Sequence, residues 1–134
     1  MSTAFGLQGR TETTKEGPGQ VMIEVKQEAI SKEIIDEWFS NWEKLRDQIH
    51  IAHEERSKET AVLMKQGIAH YEQLLLNSAG QNATLESDFE LYPINGKERL
   101  EFIKMKPGQY ACYRQLDELY KETKKRCARL RLKK

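Results

Sequence analysis

From Ile30 to Ala52 the apolar residues return every three or four positions: Ile30, Ile34, Ile35, Trp38, Phe39, Trp42, Leu45, Ile49 and Ala52. At 100° per residue they project as one stripe, with Phe39 at its edge. A stripe that wide is the inward face of a helix and needs other elements to pack against. "SNWE" at 40–43 has the pattern of a capping box, which could open a new helix. The stripe keeps its phase across it, so one helix over about 31–53 is expected, with a bend or break at Ser40 as the alternative.

"HEERSKET" at 53–60 holds no apolar residue, and Ser57 within it is a plausible N-cap. Ala61, Met64, Ile68, Tyr71 and Leu75 then repeat at three and four, flanked by Leu63, Gly67 and Leu74, which predicts a second helix over about 58–77; the polar stretch argues for a break, with one continuous helix as the alternative. Residues 78–93, with Gly80, Asn82, Ser87 and Pro93, keep no period and read as a long connection. "NGKE" at 95–98 places Asn95 as an N-cap with Glu98 three residues later, ahead of a short helix over 96–105. Pro107 ends it. From about 108, Cys112, Tyr113, Leu116, Leu119, Tyr120, Thr123 and Cys127 line one face of a last helix.

The fold expected is all-α: a small bundle of three longer helices and a short one, their stripes packed together. Residues 1–28 form a flexible N-terminal arm in this reading, with "TETTKEGPGQ" at its polar centre. Residues 29–134 form a single helical domain. "VMIEV" at 21–25 is short enough to be extended or not. The opening "MSTAFGLQGR" lacks a basic segment followed by an apolar one, and no apolar run nears the ~20 residues of a membrane span, so a cytoplasmic location without membrane contact is expected. "NAT" at 82–84 is a glycosylation sequon that this location would leave silent.

Charge is distributed unevenly. Residues 121–134 hold eight basic residues and one acid, a net of +7; with 22 basic and 21 acidic residues in all, the remainder carries 14 against 20, a net of −6. A basic end on an acidic body is the pattern of an interaction segment. Lys124, Lys125, Arg126, Arg129, Arg131, Lys133 and Lys134 are the candidates for contact with nucleic acid or an acidic partner. A plainer account competes. Asp117, Glu118 and Glu122 precede the bases on what projects as the same outer side, as the helix dipole favours, and Asp117–Lys121 and Glu122–Arg126 are i,i+4 pairs. Only Arg131, Lys133 and Lys134 exceed it, and no aromatic past Tyr120 offers a base a stacking platform.

Other chemistry is thin. His50 and His53 lie three apart, with Asp47 and Glu54 nearby, and are the weak candidates for a metal. "HEER" is not HExxH, and boundary histidines explain the pair as well. Trp38 and Trp42, one turn apart, read as core anchors rather than a ligand clamp. Cys112 and Cys127, placed on one helix, stand roughly 22 Å apart and are out of reach of a disulfide. Cationic neighbours would lower the Cys127 pKa, but its apolar face makes it a small hydrophobe. No cofactor motif stands out. The function expected is a non-catalytic accessory or regulatory module acting on a protein partner. Nucleic-acid binding through 121–134 and a small metal protein or enzyme using His50 and His53 are the alternatives.

One stretch, "YPINGKERLEFIKMKPGQYACYRQLDELYKE" at 92–122, resembles the C-terminal signature of the YpoC-like proteins of Gram-positive bacteria. The match lies in Pro then Asn before "ERLEFI", a Pro-containing break, then a Tyr and "QLDELY". The Trp-bearing helix and 58–77 fit the family's earlier helical part more loosely. Gly96 departs from the pattern, where an apolar residue such as Val is expected. The resemblance implies a small helical cytoplasmic bacterial protein and brings no catalytic residues, since the family carries no established activity.

Overall fold

The structure is a computed structural model that describes residues 22–80 and 83–133. The first 21 residues of the expected arm, Asn82 of the sequon and Lys134 lie outside the described residues. The chain runs β1 (Met22–Ile23), a 3-10 turn (Gln27–Ile30), α1 (Lys32–Glu54), α2 (Thr60–Ala79), β2 (Asp88–Phe89), α3 (Gly96–Met105) and α4 (Tyr110–Leu132). Among the described residues it is all-α apart from one parallel pair, with Met22 opposite Asp88 and Ile23 opposite Phe89.

α1 runs unbroken through Ser40, as the continuous stripe requires, and Ser31 Oγ caps it by accepting from Ile34 N. Its inward residues are Ile35, Trp38, Trp42, Ile49 and Ala52. The helix stops without glycine: Arg56 takes a left-handed conformation at φ +53°, and Ser57 N donates back to Ala52 O at 2.8 Å. Ser57 is not the N-cap of α2, which begins at Thr60; its Oγ accepts from Glu59 N one turn earlier. Asn95 does precede α3, but in the left-handed region at φ +57° and with no capping bond from its side chain, so the expected capping box does not form. A capping side chain typically works from the extended region, which Asn95 does not occupy.

α1, α2 and α4 pack around one core, and α3 closes its side against α4 and α2. At the centre the rings of Trp42 and Tyr120 lie parallel, 4.2 Å apart, and Trp38 stacks on Tyr120 at 4.8 Å. Tyr120 Oη donates to Gly67 O at 2.6 Å. That approach requires glycine, because a Cβ at position 67 would stand 2.8 Å from the Trp42 ring. Tyr71 and Thr123 share a buried hydroxyl pair at 2.7 Å, which leaves neither oxygen unmatched.

The connection read as period-free supplies core residues of its own: Phe89, Leu91 and Tyr92 are all buried. Residues 22–28 are tied to the helices. Val25 N donates to Glu90 Oε1, Lys26 N to Ser78 O and Gln27 Nε2 to Leu130 O. The departure at Gly96 has a local reason, because Tyr92 folds over it. A Cβ there would meet Tyr92 Cδ1 at 2.7 Å and Pro93 Cδ at 3.0 Å. Gly96→Ala is therefore expected to destabilise by about 1–2 kcal/mol in spite of alanine's better helix propensity, as a lower urea midpoint. A midpoint at or above the parent's would show that Tyr92 yields freely.

Candidate interaction groove between α1 and α4

The first half of α1 runs beside the second half of α4, and the two leave a groove of ≈ 510 Å³. Residues 121, 124, 125, 128 and 131 of α4 form one ridge at three- and four-residue steps; residues 32, 35, 36 and 39 of α1 form the facing one. Ile35, Phe39 and Ala128 make an apolar floor, and Lys32, Lys121, Lys124, Lys125 and Arg131 surround it with positive charge. Asp36 is the single acid in the lining. Its carboxyl is held below the usual carboxylate range, first by the hydrogen bond from Lys32 at 2.7 Å and then by the charges of Lys32, Lys124 and Arg131.

The basic end divides between structural and outward roles. Arg126 Nε donates to Glu90 O at 2.6 Å, Arg131 Nη1 to Ile30 O at 2.7 Å, and Lys133 Nζ lies 3.4 Å from Glu90 Oε2. These hold residues 23–30 and 88–91 against α4. Lys124 Nζ sits 4.5 Å above the Phe39 ring, so its charge lies directly over the groove floor. Lys125 and Arg129 are exposed, and Arg129 opens with Arg126 onto a second hollow beside Pro93 and Ile94. Lys32, Lys121 and Phe39 complete the groove, yet charge run and apolar period place them in unrelated contexts. Only the antiparallel packing of α1 and α4 brings them together.

Of the α4 acids, Glu118 is exposed as expected, but Asp117 and Glu122 turn to partners on other helices. Asp117 is buried at 8% exposure. It accepts from Trp42 Nε1 at 3.0 Å and from Arg46 Nη1 at 3.2 Å, and Lys121 Nζ lies 3.1 Å away. Burial pushes its pKa up, but these three donors outweigh burial and hold it below the ordinary value. Glu122 does not pair with Arg126. It receives both guanidinium arms of Arg99, at 2.8 and 2.9 Å, which locks α3 to α4 and lowers its pKa.

The histidines are dispersed by role. His50 is exposed, with Nε2 3.3 Å from Glu54. His53 packs edge-on to Tyr110 and tilted on Tyr113, and its buried Nε2 has no partner among the described residues. Burial, then the neighbouring His50, lowers its pKa. His70 Nε2 donates to Trp38 O at 3.0 Å. Among the described residues no group of three or more His, Cys, Asp or Glu side chains is placed to hold a metal ion. Cys112 and Cys127 are buried free thiols; burial raises both, Cys127 to about 12, against the pull of Arg131 and Arg126. No helix among the described residues is long and apolar enough to cross a membrane.

Comparison with known proteins agrees with the resemblance at 92–122. The chain is 55% identical over 40 residues to the uncharacterized protein YpoC of Bacillus subtilis (strain 168), a match spanning 30% of this chain and 24% of that one. No solved structure matches it. The model of the YpoC-like protein family matches residues 32–134, from the first turn of α1 to the last residue of the chain, and the chain belongs to that family.

Proposed function

We propose that the protein is a non-catalytic interaction module of the cytoplasm, and that the groove between α1 and α4 is the face that receives its protein partner. The observation that carries this reading is the groove's composition: an apolar floor that water solvates poorly, ringed by five cations on two rigid helices. The lysines and the arginine are long, so their stems widen the apolar surface while their charges stay wet.

Nucleic acid is the second reading, since the same cations would carry it. Three observations weigh against it. Arg126, Arg131 and Lys133 are engaged with the body's own oxygens. The aromatic in the groove, Phe39, is covered by Lys124. A sugar–phosphate backbone also has no use for an apolar floor.

The test is site-specific photo-crosslinking. A photoreactive residue is placed at Ala128, with Gln66 on the exposed side of α2 as control. A discrete protein adduct from position 128, absent from position 66 and lost with Lys124→Glu/Lys125→Glu, is expected; the adducted protein is then identified, purified and shown to bind in isolation. Adducts equal at both positions, or nucleic acid as the species captured at 128, would overturn the reading.

A further inference from the structure

We infer that the groove takes a short acidic amphipathic helix, about three turns long, whose apolar side chains seat over Ala128 and Phe39 while its carboxylates meet the rim lysines. This names the partner's chemistry for the face proposed above and rests on that reading.

The charge is complementary to acid and to little else. Four rim cations come from α4 and one from α1, against Asp36 alone, and Lys32 already neutralises that carboxylate. Lys121 is held by Asp117 and Glu118, and Arg131 by Ile30 O, so Lys124 and Lys125 are the rim cations without an acidic partner among the described residues. An acidic ligand would meet both at once in the field of the other three, and a basic one would be repelled.

Shape sets the second term. The ridge from Lys121 to Arg131 extends about 15 Å along α4, close to three helical turns. A groove of this length between two helices suits an amphipathic helix, read through apolar residues at i, i+3/i+4 and i+7. Ala128 is the small residue in a row of long ones, and the hollow above it is where an anchor fits. The cation over Phe39 deepens the requirement, because Lys124 must swing from the ring to reach a carboxylate. An apolar group that takes its place covers the ring again, which couples acid recognition to anchor recognition. A ligand with charge and no anchor leaves Phe39 bare, and a ligand with an anchor and no charge leaves Lys124 displaced into nothing.

A phage-displayed library of random 16-residue peptides, panned on the full chain, tests this. Enriched sequences are expected to carry an excess of Asp and Glu, with apolar residues at three- and four-residue spacing. Made synthetically, they should weaken at least tenfold against Ala128→Trp, which fills the hollow, and against Lys124→Glu/Lys125→Glu, which cancels the net charge of the rim. Both sets of positions are exposed, so the variants should fold; circular dichroism checks it. Replacing the peptide's anchors with Ala should weaken it at least as much, and affinity should fall as salt rises. No enrichment, enriched peptides without acids or without anchors, or equal binding to the variants would each overturn the inference. If that happens while the crosslink at 128 still captures one protein, the interaction reading stands and the acidic-helix chemistry alone falls. If both fail, the groove is not the interface.

Discussion

Replacing Trp42 with Ala should lower stability by about 3–5 kcal/mol, seen as a shift of the urea midpoint with an unchanged slope. Trp42 has no exposed surface. Its ring lies flat on Tyr120, which in turn holds the Gly67 carbonyl, so the truncation opens a cavity where α1, α2 and α4 meet. The close approach at Gly67 gives the cavity no easy way to collapse, because the neighbouring backbone is already anchored through the Tyr120 bond. The lost indole N–H adds a second penalty by removing one donor from Asp117. Trp42→Phe separates the two effects: it keeps most of the stack and loses the donor, and about 1–2 kcal/mol is expected. A midpoint unmoved by Trp42→Ala would mean that the α1 stripe is not the core.

Asp117→Ala should be the other severe change, at about 2–3 kcal/mol, although it removes a carboxylate from a helix otherwise rich in charge. The side chain itself contributes little apolar burial. What it leaves behind is costly: Trp42 Nε1 without an acceptor inside the core, and Arg46 and Lys121 facing each other across the gap. Acid titration gives an independent check. A carboxylate whose folded pKa is depressed stabilises fully above its unfolded value, near 3.8, and loses that contribution as pH falls through the folded value. The parent should therefore lose stability progressively below about pH 4. Asp117→Asn keeps an acceptor for Trp42 but cannot titrate, so its stability should fall less steeply over the same range. Equal slopes for the two proteins would place the acid sensitivity elsewhere, with Glu122 and its bond to Arg99 the first place to look.

The helices were legible because their evidence is local and repeated. α1 spans 23 residues and carries its stripe without a gap, so its continuity past Ser40 followed from phase alone. The break before α2 was legible too, since eight consecutive residues include no apolar side chain. Capping was less so. Asn95 and Ser57 are the right residue types near the right places, but a cap depends on backbone angles that composition does not set. Leu91 and Phe89 were hidden because irregular chain has no period to betray an inward residue. Asp117 illustrates a different blind spot. It lies at the flank of the α4 stripe, one position after Leu116, and a charged residue there reads as outward until a donor is known to wait opposite. That donor, Trp42, is 75 residues away. The groove was half visible: Lys124, Lys125 and Arg131 stood out as a charge run, while Phe39 and Lys32 belong to it only through the pairing of two helices far apart in the chain.

Glu90 accepts from Val25 N with one carboxylate oxygen and faces Lys133 with the other. Alongside it, Gln27 reaches Leu130 and Arg131 reaches Ile30, across separations of 103 and 101 positions. The helical hairpins can assemble from neighbours, whereas this clasp must close a loop of nearly the whole chain and gains nothing until it does. It should therefore be the last part of the molecule to form and the first to open, so that the beginning and the end of the folded body come loose as one event.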